Sequence, residues 1–308
     1  MYAEYYAFRI VFMIFRAMPV DAALGLARLI SPIVYFLHAR HRRVALDNLR
    51  QAFGDELSER EIRHIARGVY AHLVMVGVEL LRMKDLLRPD TWQDYVDFQS
   101  HHVVDRLVAS GRGAIFVTAH LGNWELNSVV MNLIGYPLHT LARPLDNPLL
   151  DEYAKRHRAG MGRRVEDKRG ALRSFVRTLK EGKFLGMVVD QDARDEGIFV
   201  EFFGRQSSWI PSPAALALRL NVPVVPGFTC RHGNRFRYTM VIEEPIYPVK
   251  TGNNEEDIRR IVTAYSQKIE EHIRRHPEQW LWNHRRWKTR PPEELEAQQE
   301  EQPRLATA

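Results

Sequence analysis

The segment GAIFVTAHLGNWELNSVV, residues 113–130, changes from one structural pattern to another within a few positions. Its first part, GAIFVTA, is a short apolar run typical of a buried strand, whereas the residues from Trp124 onward have helical spacing. Between them lie Gly122 and Asn123, which favour turns and helix caps. The segment therefore predicts a strand that enters a helix through a tight turn, with His120 at the carboxyl end of the strand.

The same alternation continues along the chain. The runs PLHTLA, GKFLGMVVD and VPVVPGFT are strand-like, and RFRYTMVIEEPI alternates after a turn at residues 232–234, which predicts an antiparallel hairpin. Helical patterns begin near Trp124 and Pro148, follow Pro211, and cover residues 171–180 and 257–275. We therefore predict an α/β fold with a mixed, largely parallel sheet wrapped by helices.

The first hundred residues have helical patterns only. From Ser58 to Met83, apolar residues recur at helical spacing behind LSERE, which resembles a capping box. Residues 5–20 are apolar except for Arg9 and Arg16, which lie seven positions apart and hence on one helix face. That pattern favours a helix lying in the membrane interface, with a single shallow or spanning anchor as the alternative.

We accordingly divide the chain into a helical membrane-associating region over residues 1–90, a catalytic domain over 91–291 and a disordered polar tail over 292–308. The N-terminal segment does not have the order of regions that defines a secretory signal. The single cysteine, Cys230, excludes an intramolecular disulfide and fits a reducing compartment. A small apolar filler in a strand is favoured for it over a reactive thiol.

The net charge of +6 over 308 residues indicates anionic partners: nucleic acid, membrane headgroups or an acidic carrier protein. Basic clusters stand beside aromatic residues in HARHRR, residues 38–43, and in WLWNHRRWKTR, residues 280–290. The second cluster fits either an interfacial anchor or tryptophans that pack inward under a solvated basic face. A nucleic-acid-binding module is disfavoured, because its stacking aromatics would lie on a sheet face beside a basic groove.

His120 and Glu125 are the candidate catalytic pair. In a continuous helix, five residues would separate them by about 140°, so the turn between them is needed to bring them together. A carboxylate near a histidine orients the ring and stabilises its imidazolium form, which makes the histidine a competent general base. A core or hydrogen-bonding role is the alternative for a histidine at a strand end.

The sequence offers no G-x-S-x-G nucleophile elbow and no H-E-x-x-H zinc motif. We therefore expect no metal and no cofactor. A base without a protein nucleophile predicts that the histidine deprotonates a substrate hydroxyl. That hydroxyl then receives the transferred group directly, without a covalent intermediate on the protein. Backbone N–H groups of LGNW are candidate donors to the developing oxyanion.

Four segments carry a resemblance to a known family: HRRVALDNLRQAF, HLGNWE, VVDQDARDEGIFVEFFGR and PEQWLWNHRRWKTRP. The chain resembles, over nearly its whole length, the lipid A biosynthesis acyltransferases (the late lauroyl and myristoyl transferases). This family and its relatives, which include enzymes that acylate phosphatidylinositol mannosides, belong to the glycerol-3-phosphate acyltransferase superfamily. The resemblance implies O-acyl transfer from a thioester on acyl carrier protein or CoA to a hydroxyl of a lipid A precursor.

The resemblance also implies roles for particular residues. HLGNWE matches the family's H-x-x-x-x-D/E motif, with His120 as the general base and Glu125 orienting it. The location implied is the cytoplasmic face of the bacterial inner membrane. Residues expected to bind substrate, besides that pair, are Asn123, Arg143, Arg158, Asp190, Gln191, Asp192 and Phe203.

The reasons for these substrate-binding residues differ. Arg143 and Arg158 match arginine positions of the family, with Arg156 as an alternative register for the second, and a guanidinium can bind an acceptor phosphate. Residues 190–192, DQD, follow an apolar strand and should emerge at the same sheet edge as His120. Their carboxylates are candidates for binding acceptor hydroxyls or an arginine, or for a solvated turn.

FFG, residues 202–204, resembles the family segment beside the acyl groove, and core packing is the alternative for its phenylalanines. Other acceptors, such as a phosphatidylinositol mannoside or a lysophospholipid, are the nearest alternatives in function. A thioester or lipid hydrolase that uses water with the same base is another.

Overall fold

The computed structural model describes residues 2–141, 147–159, 164–166 and 171–294. Within these ranges the helices are α1 (Tyr2–Ala17), α2 (Val20–Leu37), α3 (Ala39–Phe53), α4 (Glu59–Leu86), α5 (His101–Ala109), α6 (Glu125–Leu133), α7 (Pro148–Ala159), α8 (Ala171–Lys180), α9 (Ser212–Leu220) and α10 (Asn254–Arg275). Short 3-10 turns cover Trp92–Asp94, Arg194–Glu196 and Pro277–Gln279.

The strands in the same part of the chain are β1 (Val96–Phe98), β2 (Ala114–Thr118), β3 (Leu138–Leu141), β4 (Arg164–Glu166), β5 (Phe184–Val188), β6 (Ile198–Phe202), β7 (Arg205–Trp209), β8 (Val224–Arg231) and β9 (Tyr238–Ile242). Seven of them form one sheet in the order β1-β9-β8-β2-β5-β3-β4. Its neighbours are parallel except β8 and β9, which are antiparallel. The predicted mixed, largely parallel α/β sheet is therefore confirmed, including its hairpin.

Side chains from the two faces of the sheet enter two hydrophobic clusters. Along β2, Ile115 and Val117 pack in one cluster with α3, α9 and α10, whereas Ala114 and Phe116 pack in the other with α2, α5 and α6. This follows from the alternation of side chains along a strand. Helix α4 contributes its first half to one cluster and its second half to the other, so it connects the N-terminal helices to the sheet.

The N-terminal region is helical, as predicted. Helix α4 begins with the expected capping box, in which Ser58 and Glu61 each accept a backbone N–H of the other. Helices α2 and α4 are long and apolar enough to cross a membrane, a test that a buried core helix also passes. Large apolar side chains stand exposed on the first two helices, namely Tyr2, Tyr6, Ile10, Val11, Met13, Ile14, Leu29, Ile33, Phe36 and Leu37.

Three elements did not follow from the sequence patterns: β1, β4 and the separate antiparallel hairpin of β6 and β7. The hairpin turns at Phe203 and Gly204, both with positive φ. Two such residues match the right-handed twist of the flanking strands, although Phe is unusual there. The side chain of Phe203 is buried against Phe53 and Trp282. Phe203 was expected to line an acyl groove. The structure instead places it in the core, which was the alternative for this residue.

The C-terminal aromatic cluster packs inward. Trp280, Trp282 and Trp287 are buried in the core cluster that also holds α3 and α10. The interfacial anchor at this end was therefore the wrong alternative, because these indole rings are not available to a membrane. Cys230 is likewise buried in β8, and burial raises the pKa of its thiol to about 12, which agrees with the filler role.

The division at residues 90 and 291 stays a prediction. Most of the predicted tail, residues 295–308, lies outside the described residues.

Gly122 has the backbone conformation that the bend after His120 requires. Its φ is +58°, and a Cβ at this position would collide with the carbonyl oxygen of Thr229. We expect Gly122→Ala to destabilise the protein by about 2 kcal/mol or more, because it adds backbone strain to a steric clash. Thermal unfolding measures this, and activity should fall with it.

Gly77→Ala is the matched control. Gly77 lies in α4 with no atom near the position of an added Cβ. There the substitution should leave the unfolding temperature unchanged or raise it, since alanine favours the helix. Equal unfolding temperatures for the two variants would contradict the proposed constraint at Gly122.

Candidate active site

The register of two central strands brings His120 and Asp190 together. Strands β2 and β5 are parallel, and Thr118 pairs with Val188. His120 and Asp190 each lie two residues beyond that pair, at the carboxyl edge where α/β sheets place their ligands. The Nδ1 atom of His120 lies 2.7 Å from Oδ1 of Asp190, and the backbone N–H of His120 donates to Oδ2 at 2.9 Å.

The Asp190 carboxylate is fully buried and receives a third donor, because the indole Nε1–H of Trp280 donates to Oδ2 at 2.7 Å. Burial alone would raise the pKa of Asp190. The charge of His120 and the hydrogen bonds from His120 and Trp280 outweigh burial and hold that pKa well below its usual value. Asp190 is therefore a carboxylate at neutral pH.

His120 responds in the opposite direction. Burial lowers the pKa of its ring, but the charge of Asp190 and the hydrogen bond to it have the larger combined effect, so the pKa is raised above its ordinary value. Because a carboxylate only accepts, Nδ1 of His120 carries the proton and Nε2 carries the lone pair in the neutral ring. The side chain is 18% exposed and its ring contacts Trp124 edge-on, with centroids 4.9 Å apart. These properties suit a general base that acts through Nε2.

The loop after His120 is held by backbone hydrogen bonds on two sides. The carbonyl of His120 accepts from the N–H of Leu281 at 3.0 Å, and the N–H of Gly122 donates to the carbonyl of Gln279 at 3.0 Å. On the other side, Asn123 donates to the carbonyl of Thr229 in β8 at 3.1 Å. The loop is thus fixed between the sheet and the C-terminal segment, so two distant parts of the chain hold the residues from His120 to Asn123 in place.

A buried ion pair supports the same loop from below. Glu79 of α4 is fully buried and binds Arg231, whose Nη2 donates to Oε2 at 2.9 Å. Tyr238 and the Nδ2 amide of Asn123 also donate to Glu79, the amide at 3.0 Å. His72 contacts the carbonyl of Gly122 at 3.0 Å. Removing one partner of such a network leaves an unpaired buried charge, which costs about 3–5 kcal/mol.

The sequence patterns did not predict this network. Its signal was Glu79 itself, a carboxylate inside the apolar face of a long helix, where a charge needs a partner. Trp280 was within the C-terminal motif, but its indole was expected either at a membrane interface or packed inward, and its hydrogen bond to Asp190 was not predicted.

The carboxylate on Nδ1 of His120 is Asp190, whereas the sequence analysis assigned the orienting role to Glu125. Glu125 is the first residue of α6 and is half-buried. Asp190 was expected to bind an acceptor hydroxyl, but its carboxylate is fully buried and bonded to His120 and Trp280 instead. Asp190 takes the place expected for Glu125 because the register of β2 and β5 brings His120 and Asp190 to the same level of the sheet, although they lie far apart in sequence.

The other predicted binding residues are distributed unevenly around the pair. Asn123 is fully buried and bonds to Glu79, so it positions the loop instead of contacting substrate. Gln191 is exposed, and Asp192 is half-buried with one oxygen accepting from Thr289 at 2.9 Å. Both therefore remain at the edge where His120 lies.

The two predicted arginines are placed only in part. Arg143 lies outside the described residues. Arg158 lies in α7, and the description does not extend to its side chain. The alternative residue in that register, Arg156, is exposed and paired with Glu152 at 2.7 Å.

Among the described residues, no three His, Cys, Asp or Glu side chains are grouped so that they could hold a metal ion. The model of the family described as bacterial lipid A biosynthesis acyltransferase matches residues 1–289. The chain belongs to this family.

Three curated relatives from Escherichia coli (strain K12) are similar over most of both chains. The lipid A biosynthesis myristoyltransferase is 24% identical, over 83% of this chain and 77% of its own. The palmitoleoyltransferase and the lauroyltransferase are 28% and 25% identical, each over 82% of this chain and 80% of theirs. The protein is therefore an O-acyltransferase, and the earlier resemblance is confirmed.

The pKa of His120 is the quantity that Asp190 controls in this acyltransferase. The neutral ring is the active form of a base, so the rate should rise with pH through the raised pKa of His120. Asp190→Asn removes the charge that stabilises the imidazolium, so the acid limb of kcat/KM should move to lower pH. The maximal rate should fall by about 10²–10⁴-fold, because the ring becomes a weaker base.

Asp192→Asn is the control for the pH profile. It removes a carboxylate from the same loop without touching His120, so the acid limb should stay where it is. If the acid limb shifts equally in both variants, the charge of Asp190 does not specifically set the pKa of His120.

Proposed function

We propose that the protein transfers a fatty acyl chain from an acyl thioester, carried by acyl carrier protein or CoA, to a hydroxyl of a lipid A precursor, with His120 as general base. The observation that carries this proposal is the His120–Asp190 pair, an oriented imidazole at the edge of the sheet. Membership of the acyltransferase family supports the reaction class.

In the proposed reaction, Nε2 of His120 accepts the proton of the acceptor hydroxyl while that oxygen attacks the thioester carbonyl. The imidazolium that forms is stabilised by the carboxylate of Asp190. As the tetrahedral intermediate collapses, the C–S bond breaks and the thiolate takes the proton from Nε2. The products are the ester and a free thiol, and the base is restored.

The oxyanion of that intermediate requires N–H donors. Gly122 and Asn123 already donate to backbone carbonyls, so they are engaged. Trp124 and Glu125 stand at the start of α6, where N–H groups have no acceptor within the helix and the helix dipole favours negative charge. We assign the oxyanion contact to this first turn.

The remaining substrate contacts are proposed from position and chemistry. Gln191 and Asp192 follow β5 at the edge beside His120, which suits hydrogen bonds to acceptor hydroxyls. Arg143 and Arg158 have the chemistry to bind an acceptor phosphate. Glu125 lies five residues after His120 and is half-buried. It is proposed to act at the site by contacting the substrate or the residues around it.

We place the enzyme at the cytoplasmic face of the bacterial inner membrane. The exposed apolar side chains of α1 and α2 support attachment there, because contiguous exposed apolar surface marks an interaction site. The net charge of +6 suits both anionic headgroups and an acidic carrier protein.

Replacing the base tests the reaction directly. Purified protein is incubated with acyl carrier protein thioesters and a lipid A precursor, and acylated lipid is measured by mass spectrometry. His120→Ala should lower transfer by about 10²–10⁴-fold in a protein that is still folded, with a lower unfolding temperature because buried Asp190 loses one of its donors. His102→Ala, at an exposed histidine of α5, is the matched control and should retain full activity.

The products distinguish the alternatives. Ester formed only with a phosphatidylinositol mannoside or a lysophospholipid would change the acceptor, and free fatty acid formed regardless of acceptor would indicate a hydrolase. Normal transfer by His120→Ala would end the proposal for the base.

The carrier is tested with salt. If acyl carrier protein docks through charge, kcat/KM for its thioester should fall severalfold as ionic strength rises. An uncharged acyl-pantetheine thioester should show no such fall, since it has no charge for the basic surface to attract. An equal salt response for both donors would contradict docking through the carrier protein.

A further inference from the structure

A pocket of about 570 Å³ lies between α1, α4 and α7, and neither His120 nor Asp190 is among its lining residues. The side chains that matter for its chemistry are Tyr5, Arg9, Phe12, Arg16, Lys84 and Tyr153. Its volume is in the usual range for a small-ligand site. The lining combines aromatic rings with cations.

Two of the four cations in the pocket are neutralised by carboxylates. Arg16 pairs with Asp85 at 3.2 Å, and Arg156 pairs with Glu152 at 2.7 Å. Among the residues that the structure describes, these are the two acids that line the pocket. The other two cations therefore give the pocket a surplus of positive charge.

Arg9 and Lys84 supply that surplus. Nη1 of Arg9 donates to the hydroxyl of Tyr5 at 3.0 Å, and the guanidinium lies about 6 Å from the rings of Tyr5 and Tyr153. Its Nε is buried without a hydrogen-bond partner. Within the described chain, neither Arg9 nor Lys84 has a carboxylate within ion-pair distance. A half-buried guanidinium without a counter-ion is costly, and an anionic ligand would remove that cost.

The helix that carries Arg9 also presents an apolar face. Tyr5, Arg9, Phe12 and Arg16 recur every three or four residues and face the pocket. The exposed side chains of Tyr2, Tyr6, Ile10 and Met13 form the adjoining stripe of α1. A ligand with an anionic head and hydrocarbon chains matches this arrangement, because its head meets the cations while its chains lie along the apolar stripe.

We propose that this pocket binds the phosphate headgroup of an anionic membrane lipid, through Arg9 and Lys84, with the lipid chains against α1. The site goes beyond acyl transfer, since it does not use His120. It would make the attachment of the N-terminal helices selective for anionic lipid.

Vesicle flotation of the full-length protein tests the site. Vesicles of phosphatidylcholine alone are compared with vesicles that also contain phosphatidylglycerol. Arg9→Gln should weaken binding to the anionic vesicles by about tenfold or more, because a charge-assisted contact in a half-buried site is lost. Lys84→Gln should act in the same direction. Binding to neutral vesicles should be unchanged.

Arg28→Gln is the matched control. Arg28 is an exposed cation of α2, next to the exposed Leu29 and outside the pocket. Its removal should cost at most about fivefold, the usual effect of one cation near an anionic surface. Equal losses for Arg9→Gln and Arg28→Gln would overturn the proposal, since general surface charge would then explain the binding.

A second arm separates a lipid from a free phosphate ester. Calorimetry with soluble glycerol phosphate and the full-length protein should show binding far weaker than to anionic vesicles. Tight binding of glycerol phosphate that Arg9→Gln abolishes would overturn the lipid as occupant. Loss of binding to neutral vesicles in the Arg9 variant would do so too, because the effect would then lie in attachment itself. Transfer with a soluble acceptor analogue tests the catalytic proposal separately and should be normal in this variant.

Discussion

The buried carboxylate of Asp190 is the group on which the site depends. It accepts from the ring and the backbone of His120 and from the indole of Trp280, which come from two separate regions of the chain. A charge removed from water is tolerated only with such a complete set of donors. Because each donor must be in place, the carboxylate aligns the strand end and the C-terminal segment while it orients the ring of His120, the proposed base. One group therefore links folding to the proposed catalytic site.

A second buried carboxylate, Glu79, extends the same logic to the N-terminal region. It binds Arg231 and Tyr238 from the sheet and Asn123 from the catalytic loop. Since α4 also packs against α2, the helix that carries Glu79 joins the apolar N-terminal surface to the loop that holds His120. The carboxylate of Glu79 is paired with Arg231 and accepts from both Tyr238 and Asn123, so it connects α4, the sheet and the loop after His120. That loop is thus held relative to the helices that we place at the membrane.

The basic residues differ in whether their charges are accessible to a lipid. The C-terminal arginines looked like candidates for lipid contact, yet Arg286 is fully buried. It donates to the carbonyl of Ser208 at 2.7 Å and lies over the ring of Trp209 at 4.3 Å. Burial lowers the pKa of its guanidinium to about 10. On the N-terminal helices, by contrast, Arg9 and Lys84 lie in a pocket beside exposed apolar side chains.

The sequence by itself determined the alternation of strands and helices, the bend at Gly122, the position of His120 at a strand end and the family. These follow from local pattern, because strand and helix periods and turn residues are written in consecutive positions. It also placed Asp190 at the same sheet edge. Only the tertiary structure decided that Asp190, and not Glu125, contacts Nδ1 of His120, that Trp280 turns inward, and that Glu79 binds Arg231. Those contacts depend on strand register and on which helix face meets the sheet, and neither quantity is set by residues that are neighbours in the chain.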